Sequence, residues 1–213
     1  DTAGNALGSG SSTISHTVNR EAPSASVTLP GVAENSTSVT YSVDFGEEVN
    51  NVDTGDFAFF LDSGSGGGSV TDVSGSGTPG VYDVTVSSIS GEGDMALNVV
   101  KETGDVIEDT AGNQLASEVT SATRAFDTDA PSISGFSFDG TPSETDSSVT
   151  ASVTFDEDVQ NVDPADFAFT KNGSVATDSL SVSQDTGPDD YDAEITNISG
   201  SGSFDLTLNT GNI

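Results

Sequence analysis

The chain has 213 residues, of which 35 are Asp or Glu and only 4 are Lys or Arg, so its formal net charge is -31. This charge makes nucleic acid and anionic membrane surfaces poor partners, and no apolar run is long enough to predict membrane insertion. The lack of Cys excludes disulfides, thiolate metal sites and Cys nucleophiles, which leaves calcium held by carboxylates as the obvious means of stabilising small domains.

The N-terminal segment returns later in the chain as an internal repeat. Residues 1–23 align without a gap on residues 109–131, DTAGN on DTAGN and Pro on Pro, at an offset of 108. Later segments align at offsets of 109 or 110, so the period is about the length of one β-sandwich domain. We expect repeats at residues 22–128 and 129–213, and residues 1–21 are expected to be a terminal strand of a preceding or neighbouring sandwich.

Apolar and polar residues alternate over short runs in both repeats, as in half-buried strands. In the first repeat the apolar residues are Val39, Tyr41, Val43, Phe45, Tyr82, Val84, Val86, Met95, Leu97 and Val99. Their counterparts are Val149, Ala151, Val153, Phe155, Tyr191, Ala193, Ile195, Phe204, Leu206 and Leu208. The Gly- and Ser-rich stretch that begins at Gly64 is interpreted as a break between strands. The pattern predicts an all-β fold of tandem β-sandwiches.

Each repeat also carries a VDxxDF motif. In the second copy Asp163 suits a helix N-cap, Pro164 the first helical position and Asp166 the third. We therefore expect one capped helical turn in each repeat rather than metal ligation by these acids, with Asp53 and Asp56 as the counterparts in the first copy.

Taken in order, the motifs resemble the bacterial Ig-like repeats that occur in arrays in large surface adhesins and biofilm-associated proteins. The motifs that carry the resemblance are VTFDEDV from Val153, YDVTVSSISGEG from Tyr82, DTAGNQL from Asp109 and DTDAP from Asp127, with VDxxDF. The resemblance covers essentially the whole chain. It implies tandem immunoglobulin-like Greek-key β-sandwiches at the cell surface, a structural or adhesive role without catalysis, and calcium at the domain junctions.

Carried over by position, the resemblance implies calcium ligands from a loop and a linker. The candidates between the repeats are Asp109, Asn113, Asp127, Asp129, Glu47 and Glu48, and their equivalents in neighbouring copies are Asp1, Asn5, Glu157 and Asp158. Calcium takes roughly six to eight oxygen ligands, which such a loop and linker could supply. Arg20 puts a cation in the first linker, which weakens the case for an identical site there. Asp and Asn are also favoured in turns, so solvated turn residues are the alternative.

The second repeat stops at LTLNTGNI, where the first continues into DTAGNQL, so we expect its last strand to come from elsewhere. The chain is either one period of a longer polypeptide, or residues 1 to about 20 are a donor strand for the next copy, with Leu7, Ile14 and Val18 as the candidate donor-strand residues. Both arrangements join copies or adjacent repeats head to tail, because an open sandwich exposes an apolar groove and unpaired backbone.

The sequence disfavours an enzyme, because His16 is the only His and no acids are placed across an aromatic cleft. The alternative function is a carbohydrate-binding accessory module of a secreted multidomain protein, which would bind surface glycans. Sugar binding usually needs exposed aromatic rings, whereas the chain has no Trp and Tyr41, Tyr82 and Tyr191 fall at inward positions of their strands. Adaptation to high salt is a third explanation of the acidity.

Overall fold

The chain folds into two all-β units, Asp1–Asp129 and Ala130–Ile213. The computed structural model describes residues 2–6, 8–29, 31–101, 104–177, 179–211 and 213. These residues form antiparallel strands and two short 3₁₀ turns, Thr54–Asp56 and Pro164–Asp166, so the all-β prediction is confirmed. In this described part of the chain, no helix has the length and apolar character needed to cross a membrane.

Unit 1 is organised around one long hairpin. Its strands are β1 (Ser26–Thr28), β2 (Ser38–Asp44), β3 (Val49–Asn50), β4 (Phe57–Gly75), β5 (Val81–Val99), β6 (Glu108–Asp109), β7 (Val119–Thr120) and β8 (Arg124–Asp127). β5 pairs with β4 along one edge, and its other edge pairs first with β2 and then with β8 and β7. β1 pairs with β2, and β3 pairs with β6 as a separate two-stranded sheet.

Unit 2 has two separate sheets, whose strands correspond to strands or half-strands of unit 1. Its strands are β9 (Ile133–Phe138), β10 (Ser148–Phe155), β11 (Phe167–Gly173), β12 (Ser179–Gln184), β13 (Asp190–Thr196) and β14 (Gly202–Leu208). One sheet has the order β12-β13-β10-β9, and the other consists of β11 and β14. β11 and β12 of unit 2 therefore correspond to the two halves of β4, and β13 and β14 correspond to the two halves of β5.

The apolar residues that alternate along the predicted strands form the buried cores of the two units. In unit 1, Tyr41 and Val43 of β2 are buried, and in unit 2, Ala151 and Val153 of β10 are buried. Apolar side chains from both sheets of unit 2 pack on one cluster, including Leu206 of β14. Because burial of apolar surface contributes about 25 cal/mol per Å², these inward positions supply most of the stabilisation of each β-sandwich-like unit.

A tyrosine hydroxyl ties a strand to a loop in the same way in both units. The Tyr82 hydroxyl donates to the carbonyl of Val49 at 3.2 Å, and the Tyr191 hydroxyl donates to the carbonyl of Val159 at 2.9 Å. A hydrogen bond of this kind contributes about 1 kcal/mol. The inward positions predicted for these two tyrosines are confirmed, since both rings pack against apolar cores.

The VDxxDF motifs form the capped turns that the sequence predicts. The Asp53 carboxylate accepts the backbone N–H of Gly55 at 2.7 Å, and the Asp56 carboxylate accepts the N–H of Asp53 at 2.8 Å. Asp163 and Asp166 make the same capping box in unit 2. The predicted capping is thus confirmed, because these carboxylates hold the turns by accepting backbone hydrogen bonds.

The interpretation of the Gly- and Ser-rich stretch as a break is wrong. Residues 64–69 lie inside β4, where Gly64 pairs with Gly93 and Gly66 pairs with Gly91. All four glycines have positive φ, and a Cβ on Gly66 would meet the carbonyl oxygen of Ser90. The strands therefore stay paired through a segment that only glycine can enter without strain. In unit 2 the corresponding segment separates β11 from β12.

Substituting Gly66 tests this account of the hairpin. We expect Gly66→Ala to lower the free energy of unfolding by about 1–3 kcal/mol, because its φ of +124° is strained for any L residue. Gly67→Ala is the matched control, since a Cβ there has open space and its φ is not positive. Urea unfolding followed by far-UV circular dichroism measures both, and equal losses in the two variants would contradict the account.

Candidate functional site

The DTAGN turn of unit 1 is built around the carboxylate of Asp109, which is only 1% exposed. Its Oδ1 accepts the backbone N–H groups of Ala111 and Asn113, and its Oδ2 accepts the side-chain amides of Asn113 and Asn19, all at 2.8 Å. An ionised carboxylate has about four acceptor sites, so hydrogen bonds already occupy them. A cation at Asp109 would have to displace these donors.

Hydrogen bonding also sets the ionisation of Asp109. The Asn113 amide lowers the pKa of this carboxyl below its ordinary value; burial opposes the shift, and the backbone N–H groups of Asn113 and Ala111 reinforce it. The carboxylate is therefore held ionised by the turn itself, with no requirement for a bound cation.

This turn anchors residues 19–23, which precede β1 of unit 1. Besides the bond from Asn19 to Asp109, the N–H of Ala116 donates to the carbonyl of Pro23 at 3.0 Å. Sequence reasoning missed Asn19. The signal was present, because Asn19 stands where the other linker has Asp127, and an amide can donate to a carboxylate whereas a second carboxylate would repel it.

The linker pair Asp127 and Asp129 keeps acceptor oxygens for a ligand. Asp127 is half-buried in β8 and accepts the N–H of Asp129 through Oδ1 at 3.1 Å, while Asp129 is exposed. Asp127 also lies directly opposite Glu92 of β5. Like charges at opposed positions repel, and a divalent cation would relieve that repulsion.

The other predicted ligands lie apart in loops. Those in the loops after β2 and β10 are Glu47 and Glu157, which are half-buried, and Glu48 and Asp158, which are exposed. Asn5 is exposed, and Asp1 lies outside the described residues. Across the residues that the structure describes, no group of three or more His, Asp or Glu side chains is arranged to hold a metal ion. Calcium binding by these residues stays a prediction.

A second feature is a cleft of about 640 Å³ in unit 2, beside β14. Its walls include residues 142–146, residues 198–204 and Val149. Phe138 and Phe204 lie in the lining, with their ring centroids 5.9 Å apart in an edge-to-face contact. Within the described residues β14 pairs with β11 and with no second strand.

In unit 1 the corresponding place is filled by β8. This strand pairs with residues 92–95 of β5, and the Asp127 N–H donates to the carbonyl of Glu34 at 3.1 Å. Arg124 Nη2 donates to the carbonyl of Val32 at 2.9 Å, and the Phe126 ring is 2% exposed. β8 thus lies between β5 and the loop before β2 and closes the core.

The predicted donor-strand residues do not lie in a strand. No strand is assigned among the described residues from 2 to 25, where Ile14 is 97% exposed and Val18 is 60% exposed. Leu7 lies outside the described residues. Two apolar side chains are therefore presented to solvent by the segment that repeats the sequence around β8.

The pH dependence of stability tests the role of Asp109. Because the pKa of Asp109 is lowered in the fold, its carboxylate stabilises the protein above about pH 4, and this contribution is lost as the pH falls through the lowered value. We expect Asp109→Asn to be less stable than the wild type at pH 7, with a difference that shrinks below about pH 4.

Thermal unfolding between pH 2 and pH 7 measures this difference, and Glu48→Gln, at an exposed loop position, is the control. A stability difference between wild type and Asp109→Asn that does not change with pH would show that the carboxylate does not act through its charge.

The clearest comparison for both features is internal, because residues 109–131 around the turn and β8 recur as residues 1–23. The resemblance to surface-adhesin repeats rests on the motifs alone and remains a prediction. No protein-family model and no curated protein sequence matches the chain.

Proposed function

We propose that the chain is a structural repeat of an extracellular bacterial surface fibre or adhesin, in which copies or adjacent repeats join head to tail. One observation carries the proposal: the two units repeat the same strands, capping boxes and tyrosine hydrogen bonds about 110 residues apart. Repetition of a whole module, with no converging set of reactive side chains among the residues that the structure describes, suits a spacer whose length and stiffness are its function.

The strand order of unit 2 supports an immunoglobulin-like Greek key. The order β9-β10-β13-β12 in one sheet, with β11 and β14 in the other, matches strands A, B, E and D facing C and F of a constant-type immunoglobulin domain. In that scheme the last strand, G, lies beside F, and β8 of unit 1 takes this place beside the second half of β5.

The positions of the tyrosines favour a spacer over a carbohydrate-binding module. Tyr41 and Tyr191 are buried and Tyr82 is half-buried, so these rings do not form an exposed platform for stacking on a sugar. The surface carries many carboxylates instead, which favours solubility and keeps molecules from associating at random.

We propose calcium as the cation that offsets this charge, with the oxygens of Asp127 and Asp129 as the ligands that remain available at the linker. When bound, the ion would supply positive charge where Glu92 and Asp127 oppose each other. The residues of the DTAGN turn need no ion, because Asn113 and Asn19 already bond to Asp109.

Thermal unfolding in EDTA and in CaCl₂ at fixed ionic strength tests the role of calcium. We expect calcium to raise the melting temperature, because a ligand at a hundred times its Kd adds about 2.7 kcal/mol per site. The double substitution Asp127→Asn and Asp129→Asn should remove most of this increase. Asp62→Asn, at an exposed position in β4, should keep it.

Equal melting temperatures in EDTA and CaCl₂ would contradict calcium binding. A parallel titration with NaCl separates general charge screening, which any salt provides, from binding of calcium in particular. If NaCl alone reproduces the full increase, adaptation to high salt is the better explanation of the acidic surface.

A glycan array separates the two candidate functions. We expect no glycan to bind the chain above background, because the tyrosines are buried or half-buried. Specific binding of any glycan, lost on unfolding of the chain, would favour the carbohydrate-binding module and contradict a purely structural role.

A further inference from the structure

We infer that residues 16–20 of one copy add as a strand to β14 of a second copy and fill the cleft of unit 2 as β8 fills unit 1. The inference rests on the proposed head-to-tail role. In unit 1 the strand is in place as β8, and the internal repeat relates β8 to residues 16–20.

The cleft offers the same backbone acceptors that hold β8. In unit 1, the N–H of Asp127 donates to the carbonyl of Glu34, and the N–H of Thr128 donates to the carbonyl of Gly91 at 3.0 Å. The counterparts of these two acceptors are Glu144 and Gly200, which both line the cleft. Among the described residues no backbone N–H donates to either carbonyl. An added strand would find both acceptors available.

Equivalence between the two units is supported by their own hydrogen bonds. Before β2, the N–H of Ser36 donates to the carbonyl of Ala33, and before β10 the N–H of Asp146 donates to the carbonyl of Ser143. The loop that borders the cleft therefore has the same backbone turn as the loop that covers β8. The two walls that hold the strand in unit 1 are both present in unit 2.

The sequence of the segment fixes the register. At the repeat offset of 108, Val18 corresponds to Phe126 and Thr17 to Ala125 of β8. Ala125 lies opposite Asp94 and Phe126 opposite Gly93. The counterparts of those β5 residues are Ser203 and Gly202, so Thr17 lies opposite Ser203 and Val18 opposite Gly202.

This register distinguishes the two exposed apolar side chains of the segment. Phe126 is 2% exposed in unit 1, so Val18 is the side chain that enters the core of unit 2. Ile14 corresponds to Ala122, which is exposed, so Ile14 stays at the surface although it is the more exposed of the two in the free segment. If non-specific apolar contact drove association, substitution of Ile14 would weaken association more than substitution of Val18. The register predicts the opposite order, so comparing the two substitutions tests it.

Charge favours the same partner. The segment carries His16, the only His of the chain, and Arg20, one of its 4 Lys and Arg residues. Glu144 and Asp146 lie on the wall of the cleft. In a chain with a net charge of -31, a segment that carries Arg20 and has no acidic residue between positions 8 and 20 is less repelled by an acidic cleft than the acidic segments of the chain.

Disulfide trapping between two single-cysteine chains tests the register, because the protein has no Cys of its own. Thr17→Cys in a tagged chain is mixed with Ser203→Cys in an untagged chain under mild oxidation. Opposed residues of an antiparallel pair are close enough for a disulfide, so we expect a heterodimer on a non-reducing gel. Ser11→Cys replaces Thr17→Cys in the out-of-register control and should give at least about tenfold less heterodimer.

The matched substitutions Val18→Asp and Ile14→Asp are then added to the Thr17→Cys chain. We expect Val18→Asp to reduce the heterodimer at least about tenfold, because an unpaired carboxylate would be buried, and Ile14→Asp to leave it nearly unchanged. Absence of the heterodimer, equal trapping by Ser11→Cys, or a larger loss with Ile14→Asp would each overturn the inference.

Sedimentation of the unsubstituted chain provides a second measurement that does not depend on the cysteine variants. Association that rises with concentration and is lost in Val18→Asp supports the inference, and a chain that stays monomeric at every concentration overturns it. Binding to a glycan array would remove the structural role but leave strand addition standing. If the chain binds no glycan and also fails to cross-link, the proposed structural role stands and strand addition to β14 is wrong.

Discussion

Pairing of the last strand of the second sheet closes the apolar core of unit 1. A strand edge exposes backbone N–H and C=O groups that must be paired or solvated, and its inner face exposes apolar side chains. In unit 1, β8 pairs with β5 and buries Phe126, and Leu115 from the loop between β6 and β7 joins the same core. In unit 2, β14 has β11 on one edge and a cleft on the other. The sequence around β8 recurs as residues 1–23.

The acidic residues serve the fold mainly as hydrogen-bond acceptors. Asp53 and Asp163 cap 3₁₀ turns, and Asp109 closes the DTAGN turn with four donors. The donors around Asp109 stabilise its carboxylate as an anion and lower its pKa. At the linker and in the loops after β2 and β10, Asp129, Glu48 and Asp158 are exposed to solvent. Carboxylates that accept hydrogen bonds within these turns therefore contribute to the fold of both units despite the large negative charge.

Local patterns in the sequence predicted most of the strands and both capped turns, because alternation and capping depend on residues within a few positions of each other. The Gly64 segment was misjudged because its pairing with Gly93 is set by the partner strand. The bond between Asn19 and Asp109 joins residues 90 positions apart. No local pattern reveals that these donors already fill the acceptors of Asp109. The sequence therefore names candidate calcium ligands but does not separate those whose oxygens already accept hydrogen bonds from those whose oxygens remain available.

Amide hydrogen exchange in β14 tests most directly whether this strand takes a partner from a second copy. The account predicts that the β14 amides not bonded to β11 become more protected as the concentration of the chain rises, and that Val18→Asp abolishes this gain. Strand addition to β14 would be contradicted by exchange rates in β14 that stay the same at every concentration. It would also be contradicted by exchange rates that change with concentration equally in the wild type and in Val18→Asp.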